Sequence, residues 1–178
     1  MKQILVSACL LGDPVRYDGR SKALQDDEFT KLINQCRVIR FCPEVEGGLP
    51  VPRDAAEIQL GDGFSVIVES ANVITNKGVD VTDNFLMGAH KALELCRKHD
   101  ITVAILTEFS PSCGSSQIYD GSFNRTRRQG VGVTTALLRQ HGIEVFNQHQ
   151  IGHALVRVSS VTRKPAGSLD SISKRSII

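Results

Sequence analysis

Three of the five cysteines occupy the same kind of position in the chain, and their thiols are its clearest candidates for chemistry. Cys9, Cys42 and Cys113 each follow a short apolar segment, directly or after a short loop. Such segments predict buried strands, and the carboxyl ends of parallel strands lie at one edge of a sheet, where α/β proteins bind ligands. The sequence therefore predicts that these three distant cysteines meet at one site.

The other two cysteines have a different predicted environment. Cys36 and Cys96 lie on the apolar faces of predicted helices, where a free thiol behaves as a small hydrophobic group. We expect both in the core. The alternative for the first three is that they are unrelated loop thiols, but each lies beside a Pro, Gly or small residue that lets other groups approach the backbone.

Three thiolates at one site indicate a metal centre, for which two alternatives stand. Zinc could take three thiolates and a water, although the paired Cys-x-x-Cys spacing of structural zinc sites is absent from the sequence. An iron-sulfur cluster normally has four thiolate ligands, so three would leave one iron open to a substrate. An open iron is a Lewis acid that suits a soft sulfur atom, which favours the cluster.

The predicted elements place these cysteines in an α/β domain. Short apolar strands are expected at 3–8, 38–41, 101–106 and 143–146, and a hairpin or edge element at 65–69 and 72–75. Helices are expected at 26–36, at 83–99 with Asp83 as the N-cap, and from about 133 to 141. Alternation of helices with buried strands predicts a mostly parallel sheet covered on both faces.

Length and composition limit the class of protein. The 178 residues suit one domain, here placed at 1–158, followed by a flexible Ser-, Lys- and Arg-rich C-terminal tail at 159–178. No apolar run is long enough for a membrane helix, and a net charge of +2 gives no reason to expect polymeric nucleic acid as a partner. Without an export signal, we expect a cytoplasmic protein with reduced thiols.

Three separated motifs resemble a known family. They are Cys-Leu-Leu-Gly at 9–12 with Arg-Tyr-Asp-Gly at 16–19, Phe-Cys-Pro-Glu-Val-Glu-Gly-Gly-Leu at 41–49, and Ser-Pro-Ser-Cys-Gly-Ser at 110–115 with Ile-Tyr-Asp-Gly at 118–121. Over about residues 1–147 the chain resembles the thiouracil desulfidases. The resemblance implies a small Rossmann-like three-layer α/β domain and an enzyme that hydrolyses C–S bonds. Its expected substrates are 2-thiouracil, 4-thiouracil or 4-thiouridine monophosphate, desulfurised without net redox change.

The resemblance also implies roles for particular residues. It makes Cys9, Cys42 and Cys113 the ligands of a 4Fe-4S cluster whose fourth iron is open, and it makes Glu44 and Ser110 catalytic. Glu44 could activate water and Ser110 could position the substrate or relay a proton. A solvated loop carboxylate and a turn-forming serine are the alternatives, and Glu46 in the same loop is a rival base.

A basic segment offers a site for an anionic substrate group. Residues 124–130 lead into a predicted helix N-terminus, where guanidinium groups and free amides can hold a phosphate, although a solvated loop is the alternative. The candidate substrate-binding residues are Arg125, Arg127, Arg128, Gly132 and Arg53, with Arg16 as a further anion candidate. Residues 107–109, Thr-Glu-Phe, lack the basic residue that often stands there in the family, which leaves the preferred substrate charge open.

A second hypothesis is a sensor or binding module that carries a metal or cluster without turnover. Such a protein needs the three cysteines but has no use for an adjacent acid and hydroxyl. Glu44 and Ser110 therefore distinguish the two hypotheses.

Overall fold

The computed structural model describes residues 1–160, and a parallel sheet lies at its centre. The strands are β1 (Gln3–Ser7), β2 (Arg37–Phe41), β3 (Ala56–Gln59), β4 (Asn72–Thr75), β5 (Val103–Ile105), β6 (Gln117–Tyr119), β7 (Arg127–Gln129) and β8 (Glu144–Phe146). The central sheet has the order β2-β1-β5-β8, and all three of its strand pairs are parallel. The predicted parallel sheet is therefore confirmed.

Helices cover both faces of this sheet. They are α1 (Asp27–Gln35), α2 (Pro43–Glu46), α3 (Gly63–Ile67), α4 (Thr82–Lys98), α5 (Val133–Gln140) and α6 (Ile151–Ser160). Because successive side chains of a strand point to opposite faces, Ile4 and Val6 of β1 pack with residues of α1 and α6, whereas Leu5 packs with residues of α4 and α5. The result is the three-layer arrangement expected of a Rossmann-like domain.

The two thiols predicted to be structural lie in these cores. Cys36, at the C-terminal end of α1, is 3% exposed and packs in the α1–α6 layer. Cys96 of α4 is 1% exposed and packs in the opposite layer. Both predictions are confirmed.

Two small antiparallel sheets complete the described part of the chain. β3 pairs with β4, and β6 pairs with β7. The prediction of a strand at 65–69 is wrong, because Asp62 accepts hydrogen bonds from the N–H groups of Phe64 and Ser65 and starts α3 there. The strand at 72–75 is correct, but it pairs with β3.

The helix ends also differ from prediction in two places. Asp83 lies within the first turn of α4, and Val81 is the N-cap, while Asp80 accepts a hydrogen bond from the N–H of Thr82. Ser159 and Ser160, assigned to the tail from sequence, are the last residues of α6; the remainder of the predicted tail lies outside the described residues.

Among residues 1–160, no helix has the length and apolar character needed to cross a membrane.

Candidate metal centre and substrate cavity

Three neighbouring strands of the central sheet end side by side, and each leads to one of the three cysteines. Ser7 pairs with Phe41, and Val6 pairs with Ile105. The chain then continues into a 3-10 turn (Ala8–Leu11) that contains Cys9, directly to Cys42, and into a longer loop that carries Cys113. All three cysteines line one cavity of about 760 Å³. Strand topology therefore brings together residues 104 positions apart in the chain, as the sequence predicts.

The three thiols are electrostatically coupled to one another. Burial and the neighbouring Cys42 raise the pKa of Cys9 to about 11. Burial, followed by Cys42, Glu44 and Cys9, raises the pKa of Cys113 well above its ordinary value. Burial also raises the pKa of Cys42. Thiolates are the form that binds metals, so a bound cationic centre must displace the three thiol protons.

The donor set of the cavity fits an iron-sulfur centre. Cys9 and Cys113 are buried and Cys42 is half-buried, and none of these cysteines forms a disulfide. Three thiols in one cavity are the ligand type that holds iron-sulfur clusters. In the described residues, no group of three or more His, Cys, Asp or Glu side chains is arranged to hold a single metal ion.

Helix α4 fixes the position of Cys42 and of the residues after it. Pro43 occupies the first turn of α2, where its fixed φ angle and missing N–H are tolerated. The Pro43 carbonyl lies so close to Gly88 of α4 that a Cβ atom there would be 1.9 Å from the oxygen. The direct contact between the two helices therefore sets where Cys42 and Glu44 stand.

Helix α5 fixes the position of Cys113 in a similar way. The N–H groups of residues 132–135 donate to the carbonyls of Gly114, Pro111 and Ser112. The hydroxyl of Thr135 donates to the Cys113 carbonyl at 2.8 Å. The sequence predicted that these amides would be free for a phosphate, but they are occupied by the cysteine loop, so Gly132 contributes to the position of Cys113.

Glu44 has two carboxylate oxygens with different partners. The hydroxyl of Ser110 donates to Oε1 at 3.2 Å, and Arg53 Nε donates to Oε2 at 2.8 Å. Arg53 Nη2 forms an ion pair with the same oxygen at 2.7 Å. The Ser110 oxygen in turn accepts the N–H groups of Ser112 and Cys113. An acid and a hydroxyl are therefore joined on the wall that carries the three thiols.

The structure separates the two candidate acids and accounts for Arg53. Glu46 is exposed and is not part of the cavity wall, whereas Glu44 lines it. The Arg53 side chain is 6% exposed, and its guanidinium also donates to the carbonyls of Val15 and Pro50. Arg53 thus lines the cavity while its guanidinium is bonded to Glu44 and to two loops; its role in substrate binding stays a prediction.

The remaining basic candidates differ in how near they lie to the cavity. Arg16, Lys22 and Arg125 are on its wall. Arg127 and Arg128 belong to β7 and are not on the wall. Arg127 nevertheless contacts a residue that lines the cavity, since its guanidinium lies 3.7 Å from the ring centroid of Phe109.

Comparison with known proteins agrees with this geometry. The sequence profile of the family described as 2-thiouracil desulfurase matches residues 4–150. The chain belongs to this family. The expectation from the three motifs is confirmed, and the protein is an enzyme of the thiouracil-desulfurising class.

Two relatives cover nearly the whole of the described domain. A solved structure of the [4Fe-4S]-dependent thiouracil desulfidase TudS is 46% identical in sequence and superposes with a TM-score of 0.81, covering 90% of this chain and 99% of that one. The uncharacterized protein YbbK of Bacillus subtilis (strain 168) is 40% identical over 152 residues, which are 85% of this chain and 99% of that protein. The chain therefore shares its fold with the TudS structure and nearly its whole length with both relatives.

Sequence reasoning missed Glu108, the buried carboxylate that organises the cysteine loop of this family member. Glu108 is 4% exposed and accepts hydrogen bonds from the amides of residues 115–117, from two serine hydroxyls and from Asn147. Burial raises its pKa, but the hydrogen bonds from Ser115 and the following amides outweigh burial and lower it overall. An acidic residue two positions after the predicted strand at 101–106 was the available signal.

Proposed function

We propose that this protein uses a 4Fe-4S cluster held by Cys9, Cys42 and Cys113 to replace the sulfur of a thiolated uracil ring with oxygen. The observation that carries the proposal is the Glu44–Ser110 pair, hydrogen-bonded at 3.2 Å on the cavity wall that the three cysteines share. A binding module would need the thiols alone. The pair supplies the acid–base function that hydrolysis requires.

The reaction balances without an oxidant or reductant. Thiouracil and water give uracil and hydrogen sulfide, so one C–S bond is replaced by one C–O bond and both water protons leave with the sulfur. When bound, the cluster supplies an iron without a protein thiolate, which is a Lewis acid with affinity for sulfur.

Glu44 takes the proton of the attacking water in this proposal. Arg53 donates a hydrogen bond to Oε2 of Glu44. The other carboxylate oxygen, Oε1, accepts a hydrogen bond from the Ser110 hydroxyl. A proton taken up at Oε1 is therefore next to a hydroxyl that can pass it on. Two backbone N–H groups hold the Ser110 oxygen in position while this happens.

The cations on the wall favour a substrate that carries an anionic group. Arg16, Lys22 and Arg125 line the cavity together with the thiols. A guanidinium or ammonium group pairs well with phosphate, so 4-thiouridine monophosphate fits this wall as well as the smaller bases 2-thiouracil and 4-thiouracil.

All five cysteines are outside disulfides, which agrees with a reducing compartment such as the cytoplasm.

A matched pair of carboxylate variants tests the proposal. Anaerobically reconstituted Glu44→Gln is expected to release sulfide from 2-thiouracil at least about 100-fold more slowly than the wild type, the range of general acid–base effects. Glu46→Gln is expected to retain the wild-type rate, because Glu46 is exposed and off the cavity wall. Equal rates in Glu44→Gln and the wild type would refute the role of Glu44.

The same preparations separate the other hypotheses. A single zinc ion would require three sulfur atoms within about 4 Å of one another, given Zn–S bonds of about 2.3 Å. Activity that follows zinc rather than iron content would establish the zinc alternative. A wild-type protein that holds a full cluster but releases no sulfide from 2-thiouracil, 4-thiouracil or 4-thiouridine monophosphate would instead be a sensor or binding module.

A further inference from the structure

Phe109, the residue before Ser110, has an unusual backbone conformation. Its φ angle is +73°, in the left-handed region that residues with a Cβ atom avoid. Such a conformation persists only where the surroundings fix it, and it is concentrated at functional sites. Here Phe109 forms a parallel bridge with Ile118 and stands between the hydrogen-bonded side chains of Glu108 and Ser110.

The ring of Phe109 is in close contact with a cation. Phe109 lines the cavity, whereas Arg127 does not, and the Arg127 guanidinium lies 3.7 Å from the ring centroid. The same guanidinium is 5.8 Å from the ring centroid of Tyr119. A cation over an aromatic face is attracted by the quadrupole of the ring, which stabilises the contact. Arg127 is thus the near cation over the Phe109 ring, and Lys22, which lines the cavity, lies 5.9 Å from the same ring centroid.

We propose that the Phe109 ring is the surface on which the planar ring of the substrate stacks, which makes Phe109 a specificity-determining residue. This inference rests on the proposed function, because it assumes that a uracil ring enters the cavity. Aromatic side chains bind nucleobases by stacking, and a rigid aromatic surface loses little conformational entropy on binding. It also gives a role to residues 107–109, whose sequence Thr-Glu-Phe offers an aromatic ring rather than a cation before Ser110.

Two ring probes without sulfur isolate stacking from chemistry. Uracil is planar and aromatic, whereas 5,6-dihydrouracil keeps the same hydrogen-bonding edge but has a puckered, partly saturated ring. We expect the cluster-containing wild type to bind uracil more tightly than dihydrouracil in anaerobic calorimetry. In Phe109→Leu, uracil binding should weaken about tenfold, which lies within the range found for base–aromatic stacking, while dihydrouracil binding should change little.

Two further variants make the result specific. Phe109→Tyr keeps an aromatic ring and should retain the preference for uracil. Phe123→Leu is the matched control: Phe123 also lines the cavity and has a φ of +59°, but within residues 1–160 no cation is recorded over its ring. It should keep the preference as well. Cluster absorption and thermal melting verify that each variant folds.

The possible outcomes separate this inference from the proposed function. Three outcomes would overturn the stacking role of Phe109. Uracil binding could be unchanged in Phe109→Leu, or the preference for uracil could be lost in Phe123→Leu alone. The wild type could also bind uracil and dihydrouracil equally well. Sulfide release from 2-thiouracil could still stand in each of these cases. Conversely, a wild type that binds uracil through Phe109 but releases no sulfide from any thiolated uracil retains the stacking surface and contradicts the proposed function.

Discussion

The side chain of Glu44 illustrates how single residues prepare this site. One carboxylate oxygen is held by a buried guanidinium and the other contacts the Ser110 hydroxyl. The carboxylate therefore has a fixed orientation before any substrate enters. As the proposed acid–base group, a carboxylate with a fixed orientation avoids reorganisation during the reaction, and a displacement of about 1 Å can cost about 100-fold in rate.

Arg53 and Arg125 should respond differently to the same substitution. Arg53→Gln removes the partner of Glu44 Oε2, so we expect kcat for sulfide release to fall by about 100-fold with a small change in KM. Arg125→Gln removes a cation from the cavity wall, so KM for 4-thiouridine monophosphate should rise while kcat stays near wild type. Steady-state kinetics of both variants measure how the effect divides between kcat and KM. If Arg53→Gln changes only KM, Arg53 binds substrate instead of positioning Glu44.

Glu108 should make the stability of the fold depend on pH. Its pKa lies below the ordinary value of 4.5 in the folded protein, so the carboxylate stabilises the fold fully above that pH. This contribution is lost as the pH falls through the folded-state pKa. Glu108→Gln should lower the free energy of unfolding by about 2–3 kcal/mol at pH 7, since hydrogen bonds to a buried charge are lost.

Urea denaturation of both proteins without the cluster, at pH 7 and pH 4, measures this effect. The difference between wild type and Glu108→Gln should shrink at pH 4, because this pH is below the ordinary pKa of 4.5 and the carboxylate takes up a proton in the unfolded chain. A difference that is equal at the two pH values would mean that the stabilising effect of Glu108 does not depend on its charge.

At the scale of elements, two helices hold two of the cysteine loops by direct backbone contact. α4 contacts Pro43 through Gly88, and α5 contacts residues 112 and 113 through Gly132. In each case the absence of a side chain lets a helix approach the loop that carries a ligand. The position of the cysteines thus depends on helix packing as well as on strand order.

Gly132→Ala tests this contact. The φ angle of Gly132 is −75°, so alanine is acceptable to the backbone, but its Cβ would lie 2.4 Å from the carbonyl of Ser112 and 2.7 Å from the nitrogen of Cys113. Forced displacement of the loop should cost about 1–3 kcal/mol in the free energy of unfolding and reduce the iron bound per chain.

Gly152→Ala is the control for this substitution. A Cβ at Gly152 of α6 would meet no atom closer than 3.2 Å, and the contact is the end of the flexible Glu28 side chain. Urea denaturation and iron analysis should show wild-type values for Gly152→Ala. Equal losses in the two variants would mean that the close contact with the cysteine loop is not what matters.

Some features of these elements could be predicted from the sequence, and others could not. The strand ends at Cys9 and Cys42 were predictable because apolar runs and parallel-sheet topology are local or general properties. The role of Glu108 was not predictable, because its partners come from residues 115–117 and 147, which only the folded chain brings together. Likewise, the amides at the start of α5 were expected to be free. The sequence does not show that carbonyls of a loop about 20 residues earlier accept their hydrogen bonds.

At the scale of the whole molecule, the parallel sheet gathers segments from distant parts of the chain at one edge. β1, β2 and β5 are adjacent in the sheet although residue 103 lies far from residue 7 in sequence. A cluster that joins the loops after these strands binds the folded state alone, so its binding energy adds to stability. In the proposed function, cofactor binding, fold and activity are therefore coupled through Cys9, Cys42 and Cys113.

The most direct test of the central claim measures iron content and sulfide release together in two cysteine variants. Wild type and Cys96→Ala, reconstituted anaerobically with iron and sulfide, should each hold about four irons per chain and release sulfide from 2-thiouracil. Cys113→Ala should lose the complete cluster and the activity, because Cys113 lines the cavity whereas Cys96 is buried in the core. A Cys113→Ala protein that still holds a full cluster and releases sulfide at the wild-type rate would contradict the account.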